Sequence, residues 1–195
     1  MKSIIVAIMC TVVVAEAPTD QKGVEYARPG GHPLLLDLHV PEGPGPFPAA
    51  ILVHGGGFDG GSRDRNMAPT FQPLADAGFA WFSIDYRMAP EFRFPQARED
   101  VDTAIKWVKA NARTYRIDPA KIVLAGESAG GFLVNYAGTH ATAETTVAAV
   151  IDIYGPVDYI TVEAGGHGMG SWKDADQQHY KAGMVAWLKR TLGMK

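Results

Sequence analysis

Lys121-Ile122-Val123-Leu124-Ala125-Gly126-Glu127-Ser128-Ala129-Gly130-Gly131 joins an apolar strand pattern, Lys121 to Ala125, to a segment, Gly131 to Ala137, with helical character. The junction reads G-x-S-x-G. A serine on so sharp a strand-to-helix turn is held in strained backbone, with flanking glycines relieving the crowding while the hydroxyl projects from the sheet edge. The helix N-terminus that follows favours negative charge developing beside it. Ser128 is therefore read as a nucleophile, against the plainer reading of a tight glycine turn.

Working outward, the chain alternates strand and helix patterns. Leu34 to Val40 reads as a strand, closed by Pro41-Glu42-Gly43-Pro44-Gly45-Pro46, which cannot enter a central sheet. Ala49 to Val53 is a short apolar strand that runs into glycines. Helical spacing from Met67 to Ala77 leads through Gly78 to a strand, Phe79 to Asp85. Asp100 to Ala112 carries Val101, Ala104, Ile105 and Val108 on one helical face. Ala148 to Tyr154 reads as a strand ending at Gly155-Pro156, Tyr159 to Glu163 as a last strand, and Lys181 to Leu192 as an amphipathic helix. Such alternation predicts an α/β fold, a mainly parallel sheet covered on both faces, in one domain.

His54-Gly55-Gly56-Gly57 follows the strand Ala49 to Val53 directly, so amides unencumbered by side chains can converge on an anionic oxygen. Gly56 and Gly57, with the Ala129 amide opposite, are the candidate oxyanion donors, and His54 reads as a brace for this loop. Gly55 to Gly60 also spells G-x-G-x-x-G, with Asp85 placed as a ribose ligand would be. That dinucleotide reading requires the third glycine to open a helix, whereas Gly60-Gly61-Ser62-Arg63-Asp64 continues as loop.

A serine hydroxyl needs a base to take its proton. Of the six histidines, His32 and His39 precede the central strands, His54 lies in the glycine loop, His140 follows the nucleophile helix and His179 lies near the last helix. His167, in Gly165-Gly166-His167-Gly168-Met169-Gly170, follows the last strand and gives the order serine then histidine expected of this architecture. It is the candidate base; its alternative is a surface-loop histidine.

Composition narrows the partners. The chain has 195 residues, 47% hydrophobic and 20% charged, with net charge −3 and no long run of either sign, so no nucleic-acid footprint is present. One cysteine, Cys10, allows no internal disulfide and no thiolate metal cluster. Lys2, the 12-residue apolar run Ile4 to Ala15 and Ala15-Glu16-Ala17 read as a secretory signal over residues 1–17, leaving a single domain over 18–195 that is secreted or periplasmic. A bilayer crossing takes about 20 apolar residues, so no permanent membrane span is expected. A buried first strand and an uncleaved anchor are the other readings of this run.

Taken together, His54-Gly55-Gly56-Gly57-Phe58, Asp85-Tyr86-Arg87-Met88-Ala89-Pro90-Glu91, Gly126 to Gly131, Tyr154-Gly155-Pro156-Val157-Asp158 and Gly166-His167-Gly168 resemble, in order, the α/β-hydrolase esterases of the hormone-sensitive-lipase group. The bacterial acetyl- and feruloyl-esterase-like branch is the nearer likeness. The resemblance runs from about Gly23 to the C-terminus and implies Ser128 as nucleophile, His167 as base, Gly56, Gly57 and Ala129 as oxyanion donors, and a structural role for Tyr86 to Glu91. It departs between Asp158 and Ile160, where such enzymes insert helices, cap elements and a strand whose following loop carries the triad acid. Only 39 positions separate Ser128 from His167. Asp158 is the nearest substitute acid, with a turn residue as its alternative; Asp174 and Asp176 are weaker candidates, and Asp152 falls within a strand.

The resulting expectation is a serine carboxylesterase for short acyl esters, of a small molecule or linked to plant polysaccharide as acetyl or feruloyl groups, using neither metal nor cofactor. Loss of a late strand exposes sheet edges, which invite association, so a homodimer is also expected. A hydrolase-fold remnant that only binds a ligand or partner is the second reading, and a dinucleotide oxidoreductase the third.

Overall fold

The computed structural model describes residues 19–156 and 174–194. Six strands, β1 (Thr19–Ala27), β2 (Leu34–Val40), β3 (Phe47–Val53), β4 (Ala80–Ile84), β5 (Ile117–Glu127) and β6 (Ala149–Ile153), form one sheet in the order β1-β2-β4-β3-β5-β6. β1 and β2 run antiparallel to their neighbours, and β4, β3, β5 and β6 are mutually parallel. Four helices flank the sheet: α1 (Ala68–Asp76), α2 (Gln96–Ala110), α3 (Ala129–Thr139) and α4 (Asp174–Thr191).

The continuous apolar run of β3 follows from its burial on both faces, as a central parallel strand requires. Ile51 and Val53 face one core, with Phe82, Ile84, Val101, Ile105, Val108, Leu133 and Val134 from β4, α2 and α3. Ala50 and Leu52 face the other, with Met67, Leu74, Phe79, Val123, Met184 and Leu188. Burying each large aliphatic side chain contributes roughly 1.5–3 kcal/mol, so the alternation of β3 ties both helix layers to one strand. α2 presents Val101, Ala104, Ile105 and Val108 at helical spacing to the first core and stops at Asn111, whose side-chain amide caps the Trp107 carbonyl at 2.8 Å. Met184 and Leu188, one turn apart, bury the apolar face of α4.

Several boundaries differ from the sequence reading. β1 was not anticipated: TDQKGVEYA is a largely exposed edge strand with register shifts around Gln21–Val24, so it lacks a clean apolar alternation. β5 starts at Ile117 rather than Lys121, because the register irregularity against β3 between Phe47 and Ala49 accommodates Asp118-Pro119. α2 starts at Gln96, four residues before the expected start at Asp100. The expected strand Tyr159 to Glu163 and the candidate signal, residues 1–17, lie outside the described residues.

What positions the site is the crossover. From β3 the chain moves to β4 on one side and later to β5 on the other, so the carboxyl ends of β3 and β5 flank a topological switch point, where open α/β sheets form their clefts. Val53 of β3 is level with Gly126 of β5, and Glu127 is level with Ile153 of β6.

Candidate active site

Ser128 stands between β5 and α3 with φ +52° and ψ −119°, a conformation that L residues rarely adopt and that costs of order 1–3 kcal/mol. Its surroundings hold it there. The Ser128 amide donates to the Ile153 carbonyl at 2.9 Å, which stitches the turn to the end of β6. The turn closes only because two positions have no side chain: a Cβ on Gly126 would lie 2.3 Å from the Gly130 oxygen, and one on Gly130 would lie 2.2 Å from the Val53 oxygen. Ser128 itself is buried, with 8% of its surface still exposed.

The glycine loop after β3 meets this turn. An added Cβ on Gly55 would lie 3.0 Å from the Cβ of Ser128, so the two segments are in contact. Gly56 and Gly57 have φ of +118° and +65°, and Phe58 continues in the left-handed region at +68°. Among the described residues, no carbonyl or side-chain oxygen accepts a hydrogen bond from the amides of Gly56, Gly57 or Ala129. These amides belong to the two segments that meet at the serine, the glycine loop after β3 and the turn into α3, and carry the donors an oxyanion would need.

His54 is fully buried, with Nδ1 at 2.7 Å from the Gly55 carbonyl and its ring stacked on Tyr86 at 4.3 Å between centroids. Burial pushes its ionisation below the ordinary histidine value, which suits a neutral brace. The Tyr86 hydroxyl donates to the His54 carbonyl at 3.1 Å and the Ala89 amide to the Phe58 carbonyl at 2.8 Å, so the Tyr86 to Pro90 segment backs the loop. Arg87 is in turn fixed by buried Asp100, which accepts its backbone amide at 2.8 Å and its guanidinium at 2.7 Å.

Asp85, the residue suited to a ribose, is otherwise engaged. Its carboxylate takes the Arg63 amide at 3.0 Å and pairs with the Arg63 guanidinium, which also binds Asp37 at 2.8 Å. The chain after Gly61 continues in turns until α1 begins at Ala68, so no helix opens at the third glycine as a dinucleotide site needs. Asp85 and Arg63 clamp the glycine loop instead.

A cavity of about 570 Å³ is walled by Phe58 of the glycine loop, Phe92 and Phe94 of the segment before α2, and Phe132 and Leu133 of α3, the helix that Ser128 precedes. Phe132 lies one helical turn after Ser128 and packs edge-on against Phe58 at 5.7 Å. Phe94, 61% exposed, stands at the mouth.

The structure brings together Ser128, Gly56, Gly57 and Ala129; His167 and Asp158 lie outside the described residues. His140 is stacked on Tyr136 at the far end of α3, about 18 Å along the helix from Ser128 at 1.5 Å per residue. His39 lies in β2, paired with Asp20. Asp152 is committed within the fold, accepting the Gly155 amide at 2.6 Å and the Asn135 side-chain amide at 2.6 Å. Sequence reasoning missed Glu127, buried next to the serine with Tyr154 donating to its Oε2 at 2.6 Å. The signal was available: a charged side chain at the second position of G-x-S-x-G, closing the buried run Ile122 to Gly126 of β5. Among the described residues no three His, Cys, Asp or Glu side chains converge on a metal position, and no helix is long and apolar enough to cross a membrane.

This cleft at the switch point, with its serine turn and amide-lined loop, agrees with the comparison to known families: residues 36–190 match the BD-FAE family model. The chain belongs to the BD-FAE family. As a BD-FAE protein it is similar to Esterase LipC of Mycobacterium tuberculosis, with 39% identity over 125 residues, 58% of this chain and 31% of LipC. It is also similar to an ethyl acetate hydrolase of Pseudomonas putida, with 34% identity over 138 residues, 69% of this chain and 43% of that protein. This BD-FAE chain therefore spans less than half the length of either curated relative. Among solved structures, a truncated form of a carbohydrate esterase from gut microbiota superposes with a TM-score of 0.63 at 29% identity, covering 72% of this chain and 57% of that one. The fold is that of the α/β-hydrolase esterases of the hormone-sensitive-lipase group.

Proposed function

We propose that the chain is a serine carboxylesterase acting on short acyl esters, with acetyl and feruloyl esters of plant polysaccharide as its substrate class. The observation that carries this reading is the strained Ser128 in contact with the glycine loop, with the unengaged amides of Gly56, Gly57 and Ala129 on the two segments that meet there. Ser128 Oγ attacks the ester carbonyl and gives its proton to His167, while the three amides receive the oxyanion. Collapse breaks the bond to the alcohol oxygen, which leaves with that proton. His167 then deprotonates a water that splits the acyl-enzyme and regenerates the hydroxyl. Asp158 accepts the other imidazole N–H and steadies the cation. The phenylalanine-walled cavity of about 570 Å³ supports an aromatic acyl group, and likeness to an ethyl acetate hydrolase and a carbohydrate esterase supports the small acyl group and the saccharide alcohol.

The test is hydrolysis of an acetyl ester by the full chain beside Ser128→Ala, after circular dichroism has shown both to be folded. Activity confined to the chain with serine is expected; equal rates in the two proteins refute the assignment. Residues 1–17 act as an export signal in this reading, so protein exported from a bacterial host should begin at Pro18 on N-terminal sequencing. Pairing through an exposed sheet edge makes the homodimer, for which sedimentation should give twice the chain mass.

A further inference from the structure

Three carboxylates are buried among the described residues: Asp37, Asp100 and Glu127. Asp37 is paired with Arg63 and Asp100 with Arg87. Glu127, 4% exposed, has the Tyr154 hydroxyl as hydrogen-bond donor, and no basic side chain among the described residues pairs with it. A buried carboxylate lacking a counter-charge is costly, and replacing it with a neutral group is often stabilising. Its place in the structure suggests what it is for. Glu127 Oε1 and Ser128 Cβ each lie 3.0 Å from the point that a Cβ on Gly55 would occupy, so at most about 6 Å, twice that distance, separates the carboxylate from the side chain that gives up the proton.

We propose that Glu127 is a positioning residue whose fixed negative charge, held by Tyr154 beside the serine, stabilises the imidazolium formed when the base takes the Ser128 proton. The inference rests on the serine-esterase reading and adds a second source of charge to whichever carboxylate accepts the imidazole's other N–H. Because Glu127 is fixed before the reaction, its charge favours a cation that exists only after proton transfer, so it acts in the transition state more than in the ground state. The ionisable groups facing it are His54 from the end of β3, Tyr86 from beyond β4 and Tyr154 from beyond β6. Burial holds His54 below its usual range and pushes Tyr86 far above its own, with the Glu127 charge adding to the rise, so both are neutral near pH 7, while Tyr154 faces the carboxylate as a hydrogen-bond donor. None of these groups cancels the carboxylate.

The experiment follows two signals in the full chain between about pH 5 and 9: kcat/KM for an acetyl ester, and the rate at which a fluorophosphonate probe labels Ser128, read by intact mass. Glu127→Gln keeps the shape and an acceptor for Tyr154 while removing the charge. Both profiles should move their acidic limb about one pH unit lower, and the plateau should fall about tenfold, the rate equivalent of one unit. Glu127→Asp, which restores the charge, should return the limb toward its original position. Tyr154→Phe, which keeps the carboxylate but unfastens it, should shift the limb the same way by less, and it provides the reading if Glu127→Gln does not fold. An acidic limb unmoved in folded Glu127→Gln, or in Tyr154→Phe where only that variant folds, overturns the inference even if the plateau drops. Parent protein that neither turns over nor labels refutes the esterase reading and this inference with it.

Discussion

Gly130→Ala tests whether the turn geometry, rather than the serine's mere presence, makes the site. The new methyl carbon would fall 2.2 Å from the Val53 oxygen, 2.5 Å from the His54 oxygen and 2.7 Å from the Val53 carbonyl carbon. All three are backbone atoms of β3 and the residue after it, so no side chain can rotate away, and ordinary contact requires α3 or the glycine loop to move by roughly 1 Å. Forced overpacking of this kind costs about 1–3 kcal/mol. At about 2–4 °C per kcal/mol for a domain of this size, the melting temperature should fall by roughly 2–12 °C. Displacing the nucleophile from its amides by about 1 Å should cost on the order of 10²-fold in turnover. Gly183→Ala is the control, because among the described residues nothing lies within 4 Å of its added Cβ in α4, and alanine there should stabilise by about 0.5–1 kcal/mol without changing the rate. Thermal melting by circular dichroism and acetyl-ester kinetics read both effects. A Gly130→Ala protein with the parent's melting temperature and rate would refute the packing argument; one that melts lower but turns over normally would refute the link from packing to chemistry.

Other perturbations probe the supports. Arg87→Met strands the carboxylate of Asp100, 2% exposed in its side chain, and should cost about 3–5 kcal/mol, whereas Arg87→Met with Asp100→Leu should recover most of the loss; urea midpoints that rank the double variant below the single one contradict this. His54 is held below its ordinary ionisation by burial, so the unfolded chain binds the extra proton first. Its contribution to stability is complete above about pH 6.5 and is lost as pH falls toward the folded value. The melting temperature should therefore decline below that pH in the parent chain and decline less in His54→Gln; matching slopes would remove His54 from the account. Gly56→Ala, whose Cβ would meet the Gly60 oxygen at 2.2 Å, should lower kcat by about 10²–10³-fold with little change in KM, and a KM effect alone would speak against oxyanion binding. Asp158→Asn should reduce turnover by up to about 10⁴-fold if its carboxylate orients the base, and parent-like rates reject that role.

The parts of this fold legible in the sequence are those whose signal is local. β3, β4 and β5 announce themselves as apolar runs because both faces are buried, and α2 by four apolar residues at helical spacing. The serine turn and the glycine loop were legible because backbone crowding demands glycine at fixed offsets from Ser128 and His54. β1 was not, since one polar, bulged edge strand carries no such constraint. Nor was the Asp37–Arg63–Asp85 clamp, which joins residues 26 and 22 positions apart whose pairing exists only once β2 and β4 are neighbours. Glu127 illustrates the intermediate case: its presence in the motif was plain, but its meaning depends on having no cationic partner among the described residues, which only the packed structure reveals.

Stability and chemistry are coupled through the end of β6. Ser128 remains in its strained conformation because neighbours over-determine it, and one of those constraints is the bond from its amide to the Ile153 carbonyl. Tyr154, the next residue, carries the hydroxyl that fastens Glu127, while Asp152 ties the same strand end to Gly155 and, through Asn135, to α3. Four consecutive residues of this strand end, Asp152 to Gly155, therefore hold the nucleophile's backbone, the buried charge beside it and the helix that begins after it. Relaxing the strand end would release the roughly 1–3 kcal/mol stored at Ser128 and let the serine leave the glycine loop. Asp152→Asn keeps the size of the side chain but presents one donor where two N–H groups need acceptors. It should thus slow Ser128 labelling through the backbone, without shifting its pH profile, the opposite pattern to that expected of Glu127→Gln.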